Sequence, residues 1–176
     1  MAREARKSSQ QPAALPTGTV TFLFTDIEGS TQRWEQHPDA MMAAVNRHDE
    51  LLRSVMAAHG GHVFKTVGDA FCVAFQRPEE GIAAAIAAQR ALSEEDFSSL
   101  NGLAVRMGLH VGEAAERDND YFGPTVNRVA RLMSIGHGGQ VLMSGAVYEH
   151  VKARLPADAS PVDLGLRHLK DLLEPE

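Results

Sequence analysis

Val20-Thr21-Phe22-Leu23-Phe24-Thr25 runs straight into Asp26-Ile27-Glu28-Gly29-Ser30-Thr31, and the fold is decided by this junction. The first six residues alternate β-favouring side chains and read as a buried strand. The next six place a carboxylate at the strand exit, beside the start of a helical segment. Backbone N–H groups of Glu28, Gly29, Ser30 and Thr31 could form an anion-binding turn there, and Gly29 permits close approach of a phosphate. Taken alone, Asp26 reads as readily as an N-cap or turn residue.

From that strand outward, a long amphipathic helix is predicted from about Pro38 to Ala58, stopped by Gly60-Gly61. Strands follow at His62 to Val67 and Ala70 to Phe75, with Gly68-Asp69 as the hairpin turn. Pro78 to Leu92 is an alanine-rich helix with proline at a permitted start. Leu103 to Val111 is a strand, Thr125 to Met133 a helix after Gly123-Pro124, Gln140 to Ser144 a strand, and a short helix runs to about Val151. Leu164 to Leu169 reads as a final strand. The order β-α-β-β-α-β-α-β-α-β predicts an α/β sandwich, a sheet with helices mainly on one face. Residues 1–17 are polar and proline-containing, without hydrophobic periodicity. They read as a disordered N-terminal arm or expression remnant, with one domain from 18 to 176.

Composition narrows the function. The 176 residues are 44% hydrophobic and 23% charged, ordinary for a globular domain with its own core. The net charge of −6 argues against a bulk affinity for nucleic acid or anionic membrane. No apolar run approaches the roughly 18 residues of a membrane span, and no secretory signal is legible. Cys72 stands alone, which fits a reducing compartment, and a cytoplasmic location is expected.

Four candidate sites carry chemistry. Asp69, at a hairpin tip, is ordinarily a turn residue. If the Asp26 strand lies beside that hairpin, both carboxylates emerge on one rim. A divalent cation such as Mg²⁺ or Mn²⁺ would relieve their repulsion, taking further oxygens from substrate phosphates. Asn127 and Arg131 lie four apart on a predicted helix and share a face. Arg131 suits phosphate oxygens and Asn127 a sugar oxygen, although a solvated face shared with Arg128 is the plainer account. Lys65 and Asp120 supply a donor and an acceptor for a purine edge. Lys65 alternates with Val63 and Val67 and so falls on their apolar face, where a salt bridge or snorkelling stem is the plainer account. Neither the P-loop nor the dinucleotide-binding glycine pattern occurs. His59 and His62 lack partners for zinc.

FLFTDIEGST (22–31), GHVFKTVGDAF (61–71), VRMGLHVG (105–112), DYFGPTVNRVAR (120–131) and the ending LGLRHLKDLLEP, taken in order, resemble the class III nucleotidyl cyclase catalytic domain of the actinobacterial, mycobacterial type. The likeness covers about residues 18–176. It implies a ferredoxin-like α+β sandwich core with a mainly antiparallel sheet. It assigns Asp26, Ile27 and Asp69 to two divalent cations per site, Mg²⁺ or Mn²⁺. It assigns Lys65 and Asp120 to adenine recognition, Asn127 and Arg131 to the transition state, and Glu28 to Thr31 together with Lys170 to the phosphates. Members that prefer GTP usually replace the lysine–aspartate pair, so ATP is the implied substrate and 3′,5′-cyclic AMP with pyrophosphate the implied products. The family usually adds one more short strand after this ending, so a truncated or shortened domain is expected here.

The resemblance also implies assembly. Lys65 and Asp69 are close in sequence, yet the family places them in opposite sites, so a head-to-tail homodimer with two composite sites is expected. The alternatives are a guanylyl or dual-specificity cyclase, or a catalytically silent nucleotide-binding or dimerisation module. A diguanylate cyclase would carry a GGDEF-type signature, which is absent from this sequence.

Overall fold

The computed structural model describes residues 14–176; the arm expected over residues 1–17 lies mostly outside them. Five strands form the main sheet: β1 (Thr19–Ile27), β2 (His62–Val67), β3 (Ala70–Phe75), β4 (Val105–Glu113) and β7 (Val141–Met143). Their order is β2-β3-β1-β4-β7. β1 pairs antiparallel with β3, Thr21 opposite Phe75 and Thr25 opposite Phe71. On its other edge it pairs antiparallel with β4, Thr19 opposite Glu113 through Ile27 opposite Val105. Among the described residues only the β4–β7 pairing is parallel.

Alternation along β1 sorts its side chains onto two faces. Leu23 and Ile27 join the larger core with Met41, Leu52 and Met56 of α2 (Pro38–Ala58), Ile82, Ala85 and Ala88 of α3 (Pro78–Glu94), and Val147 and Val151 of α5 (Gly145–Val151). Val20, Phe22 and Phe24 join a smaller core with Cys72, Ala74, Tyr121 and Val129 of α4 (Pro124–Ser134). Among the described residues, α2, α3 and α5 thus cover one face and α4 is the helix that crosses the other. The antiparallel-dominated sheet and its helices match the expected fold class. Trp34, on α1 (Ser30–Gln36), is partly buried against the larger core.

The differences from the sequence reading have physical causes. α1 was not resolved as a separate helix because STQRWEQ offers no periodic apolar face, and none of its residues is buried. A two-stranded hairpin, β5 (Ala115–Arg117) and β6 (Asp120–Phe122), was not anticipated. All three residues of β5 are exposed, so no alternation marks it. Its turn is legible afterwards: Asp118 and Asn119 take φ of 56° and 59°, the two positive values of a type I′ hairpin. Leu164 to Leu169 is not a strand. Asp163 Oδ1 accepts the Gly165 N–H at 2.8 Å, an Asx turn that curls the chain, and Leu164 and Leu166 are exposed. Leu15 is partly buried against the smaller core and Pro16 is buried, so packed structure starts before Gly18.

Lys65 does not share the face of Val63. The β2–β3 register shifts between Val63, opposite Val73, and Lys65, opposite Cys72. Val63 packs on the larger core and Phe64 on the smaller one. The irregularity turns Phe64 and Lys65 together toward the α4 side, which simple period-two counting cannot foresee.

α4 approaches β4 at glycine. A Cβ on Gly108 would lie 2.7 Å from the Met133 backbone nitrogen, too close for any side chain without displacement. Gly108→Ala is therefore expected to lower unfolding stability by about 1–3 kcal/mol, read by urea denaturation.

Candidate active site

Asp26 continues the face of Phe22 and Phe24 on β1, where the strand leaves the core. Arg106, its register partner on β4, grips one carboxylate oxygen: Nε at 2.9 Å and Nη2 at 2.6 Å from Oδ2. Arg106 Nη1 also donates to the Ser134 carbonyl at the end of α4, at 3.2 Å. Sequence reasoning missed Arg106. The signal was present, because an arginine two residues before Gly108 falls on the same side of β4 as that glycine.

Asp69 occupies the β2–β3 turn. The pairing of Thr25 with Phe71 brings this turn to the exit of β1. Ser30 Oγ donates to Asp69 Oδ1 at 3.4 Å, a long bond, while Asp69 Oδ2 is buried without a hydrogen-bond partner. A buried, unsatisfied carboxylate oxygen is costly unless something positive meets it. That observation fits a divalent cation, which takes oxygen ligands and can use two carboxylates with substrate phosphates. Among the described residues, no group of three or more His, Cys, Asp or Glu side chains forms a metal cage. Ile27, with its side chain buried in the larger core, can offer only its main chain.

The anion turn is smaller than expected. The Glu28 N–H donates to the Ala104 carbonyl at 2.9 Å and is removed from it. Gly29 caps α1, and the N–H groups of Gly29, Ser30 and Thr31 remain at the helix start. Glu28 Oε1 lies 3.6 Å from the His137 ring.

Lys65 and Asp120 meet directly, Nζ to Oδ2 at 2.6 Å. The hydrogen bond raises the lysine from its ordinary value and lowers the aspartate from its own. Each partner is thus held charged by the other. The lysine's contribution persists below its unfolded pKa and fades as pH rises through the raised one. The aspartate's persists above its unfolded pKa and fades as pH falls through the lowered one. Together they keep the pair intact across neutral pH. Cys72, opposite Lys65, has its thiol pushed up to about 11 by burial, in keeping with an inert core residue.

Asn127 and Arg131 lie on α4. Asn127 is exposed, and Arg131 Nη2 donates to Asp171 at 2.7 Å. Lys170 is exposed beside Asp171. Among the described residues, no hydrogen bond or ion pair joins Asp26 or Asp69 to Lys65, Asp120, Asn127 or Arg131. Asp26 and Asp69 thus stand at the exit of β1, Lys65 meets Asp120, and Asn127 and Arg131 lie on α4, whose end is tied to Asp26 through Arg106.

The model of the adenylate and guanylate cyclase catalytic domain matches residues 13–163. An uncharacterised protein of Mycobacterium tuberculosis is 44% identical over 163 residues, covering 92% of this chain and 55% of that protein. An adenylate cyclase of Lachancea kluyveri is 37% identical over 160 residues, 77% of this chain and 9% of that enzyme. Among solved structures, an adenylate cyclase of Trypanosoma brucei in its monomeric state superposes with a TM-score of 0.82 at 30% identity, over 93% of this chain and 88% of that one. The chain belongs to the adenylate and guanylate cyclase catalytic domain family. It spans about half the length of the mycobacterial relatives it matches. No helix among the described residues is long and apolar enough to cross a membrane.

Asp120→Asn is expected to return the Lys65 ammonium toward the titration of an unpaired lysine, read by NMR of the side chain. Thermal stability should change little, because the lysine is about half exposed.

Proposed function

We propose that the chain is an adenylate cyclase domain, converting ATP to 3′,5′-cyclic AMP and pyrophosphate at composite sites of a head-to-tail homodimer. The observation that carries this reading is the Lys65–Asp120 pair, 2.6 Å apart. It presents a donor and an acceptor from the edge strand and the hairpin, matched to the amino group and ring nitrogen of adenine.

In this reading Asp26, Asp69 and the main chain of Ile27 hold the divalent cations. Such ions, when bound, acidify the ribose 3′-hydroxyl and neutralise the polyphosphate. Arg106 must release Asp26 Oδ2 for that oxygen to serve as a ligand. Gly29, Ser30 and Thr31 direct N–H groups to the β- and γ-phosphates. Asn127 holds the ribose. Arg131, freed from Asp171, meets charge developing on the α-phosphate as the 3′-oxygen attacks phosphorus and the bond to pyrophosphate breaks. Lys170 joins the phosphate contacts, as the family resemblance implies. The proton leaves to water or a substrate phosphate, and no side chain is assigned as the base.

In this reading Asp26 and Asp69 of one subunit meet Lys65, Asp120, Asn127 and Arg131 of the other, as the family resemblance implies. Positioning by both halves accounts for most of the expected rate enhancement. Asp26→Ala and Arg131→Ala chains should each be inactive. Mixed, they should partly recover activity, because one of the two sites of a heterodimer is intact. Absence of recovery where heterodimers are demonstrated would defeat the composite site. Product analysis from ATP and GTP, with Mg²⁺ or Mn²⁺ and across protein concentration, tests the substrate. Cyclic AMP with specific activity rising with concentration is expected, whereas cyclic GMP as the sole product would establish the guanylyl reading.

A further inference from the structure

The β5–β6 hairpin stands apart from the five-stranded sheet. Its six paired residues include one buried side chain, Tyr121, which is 2% exposed. Asp120 precedes it, so the place of that carboxylate depends on what holds Tyr121.

Three contacts hold it. The Tyr121 ring lies edge-on to Phe22, centroids 4.9 Å apart, and to Phe64, 4.8 Å apart. Its hydroxyl donates to the carbonyl of buried Pro16 at 2.6 Å, a tie across 105 residues of sequence. Leu15 packs against the same cluster. The tie is matched on the lysine side, because Phe64 precedes Lys65 and the strand irregularity turns both toward this cluster. Asp120 Oδ1 also accepts the Tyr121 N–H at 2.8 Å, fixing one carboxylate oxygen while Oδ2 takes Lys65. Two neighbouring pairs, Phe64-Lys65 and Asp120-Tyr121, are thus registered on each other through their aromatic members.

We propose that Tyr121, anchored by the Pro16 carbonyl and wedged between Phe22 and Phe64, is a positioning residue that sets the Lys65–Asp120 pair for purine discrimination. The inference rests on that pair reading the purine, as in the cyclase assignment, and adds the segment before β1 to the specificity apparatus. Tyr121 itself acts through Asp120. Its ring fixes where the hairpin sits and its hydroxyl fixes the ring. Loss of the hydroxyl leaves a buried carbonyl unpaired and lets the hairpin shift, which costs adenine more than guanine.

The test compares the full-length wild type with Tyr121→Phe, Leu15→Ala and a control, Val147→Ala, which is buried in the other core. Binding of the non-cyclisable analogues 3′-deoxy-ATP and 3′-deoxy-GTP is measured with Mg²⁺, alongside initial rates with ATP and GTP. Tyr121→Phe keeps both aromatic contacts and should fold. It is expected to reduce the ATP:GTP preference about fivefold, mainly through KM rather than kcat. Leu15→Ala should act in the same direction. The control should lower the melting temperature at least as far without moving the ratio. An unchanged ratio in Tyr121→Phe, or a wild type that binds both purines equally, overturns the inference. A wild type that selects ATP in binding and loses that selection in Tyr121→Phe, yet forms no cyclic nucleotide, upholds it while sinking the cyclase activity.

Discussion

Strand β1 is hydrogen-bonded along both edges and buried on both faces, and the remaining structure is organised around that constraint. A strand in this position can expose polar groups only where it leaves the core. Thr21 and Thr25 face the larger core, and their neighbours Phe22 and Phe24 face the smaller one. Asp26 is the first residue on the smaller-core side with access to solvent. Its carboxylate is thereby fixed by the strongest element of the fold, and the β2–β3 turn is delivered beside it by the antiparallel register.

Charge at most of the candidate site residues is met within the chain. Arg106 covers Asp26, Asp120 covers Lys65, and Asp171 covers Arg131. Each pair is partly exposed, so each contributes little to stability and can open at modest cost. Asp69 is the exception, with one buried oxygen unpaired.

α4 occupies the otherwise sparse face of the sheet, and its depth is set by Gly108. The helix carries Asn127 and Arg131, so a backbone feature of β4 determines how far those side chains project. Arg106 adds a second link between β4 and the end of α4. Packing and site geometry are therefore one problem on this face, whereas on the α2–α3–α5 face the packing is a conventional apolar core.

Local sequence signals specify the strand-to-carboxylate junction at Asp26, the hairpin holding Asp69, and the helices from Pro38 and Pro78. Each is marked locally, by alternation, turn chemistry or proline at a helix start. The family was legible because five short segments occur in order. Local signals did not reach the hairpin that carries Asp120, since AER has no buried face and only Asp118-Asn119 betrays the turn. They also misplaced Lys65, because a register shift reverses which side a residue faces without altering its composition. They carried Leu164 to Leu169 into a strand, where the turn at Asp163 curls the chain and leaves Leu164 and Leu166 exposed. Tertiary structure alone decided that Arg106 grips Asp26, that Pro16 anchors Tyr121, and that α4 rests on Gly108. These contacts depend on registers between segments dozens of residues apart, and a residue's own neighbours in sequence hold no record of them.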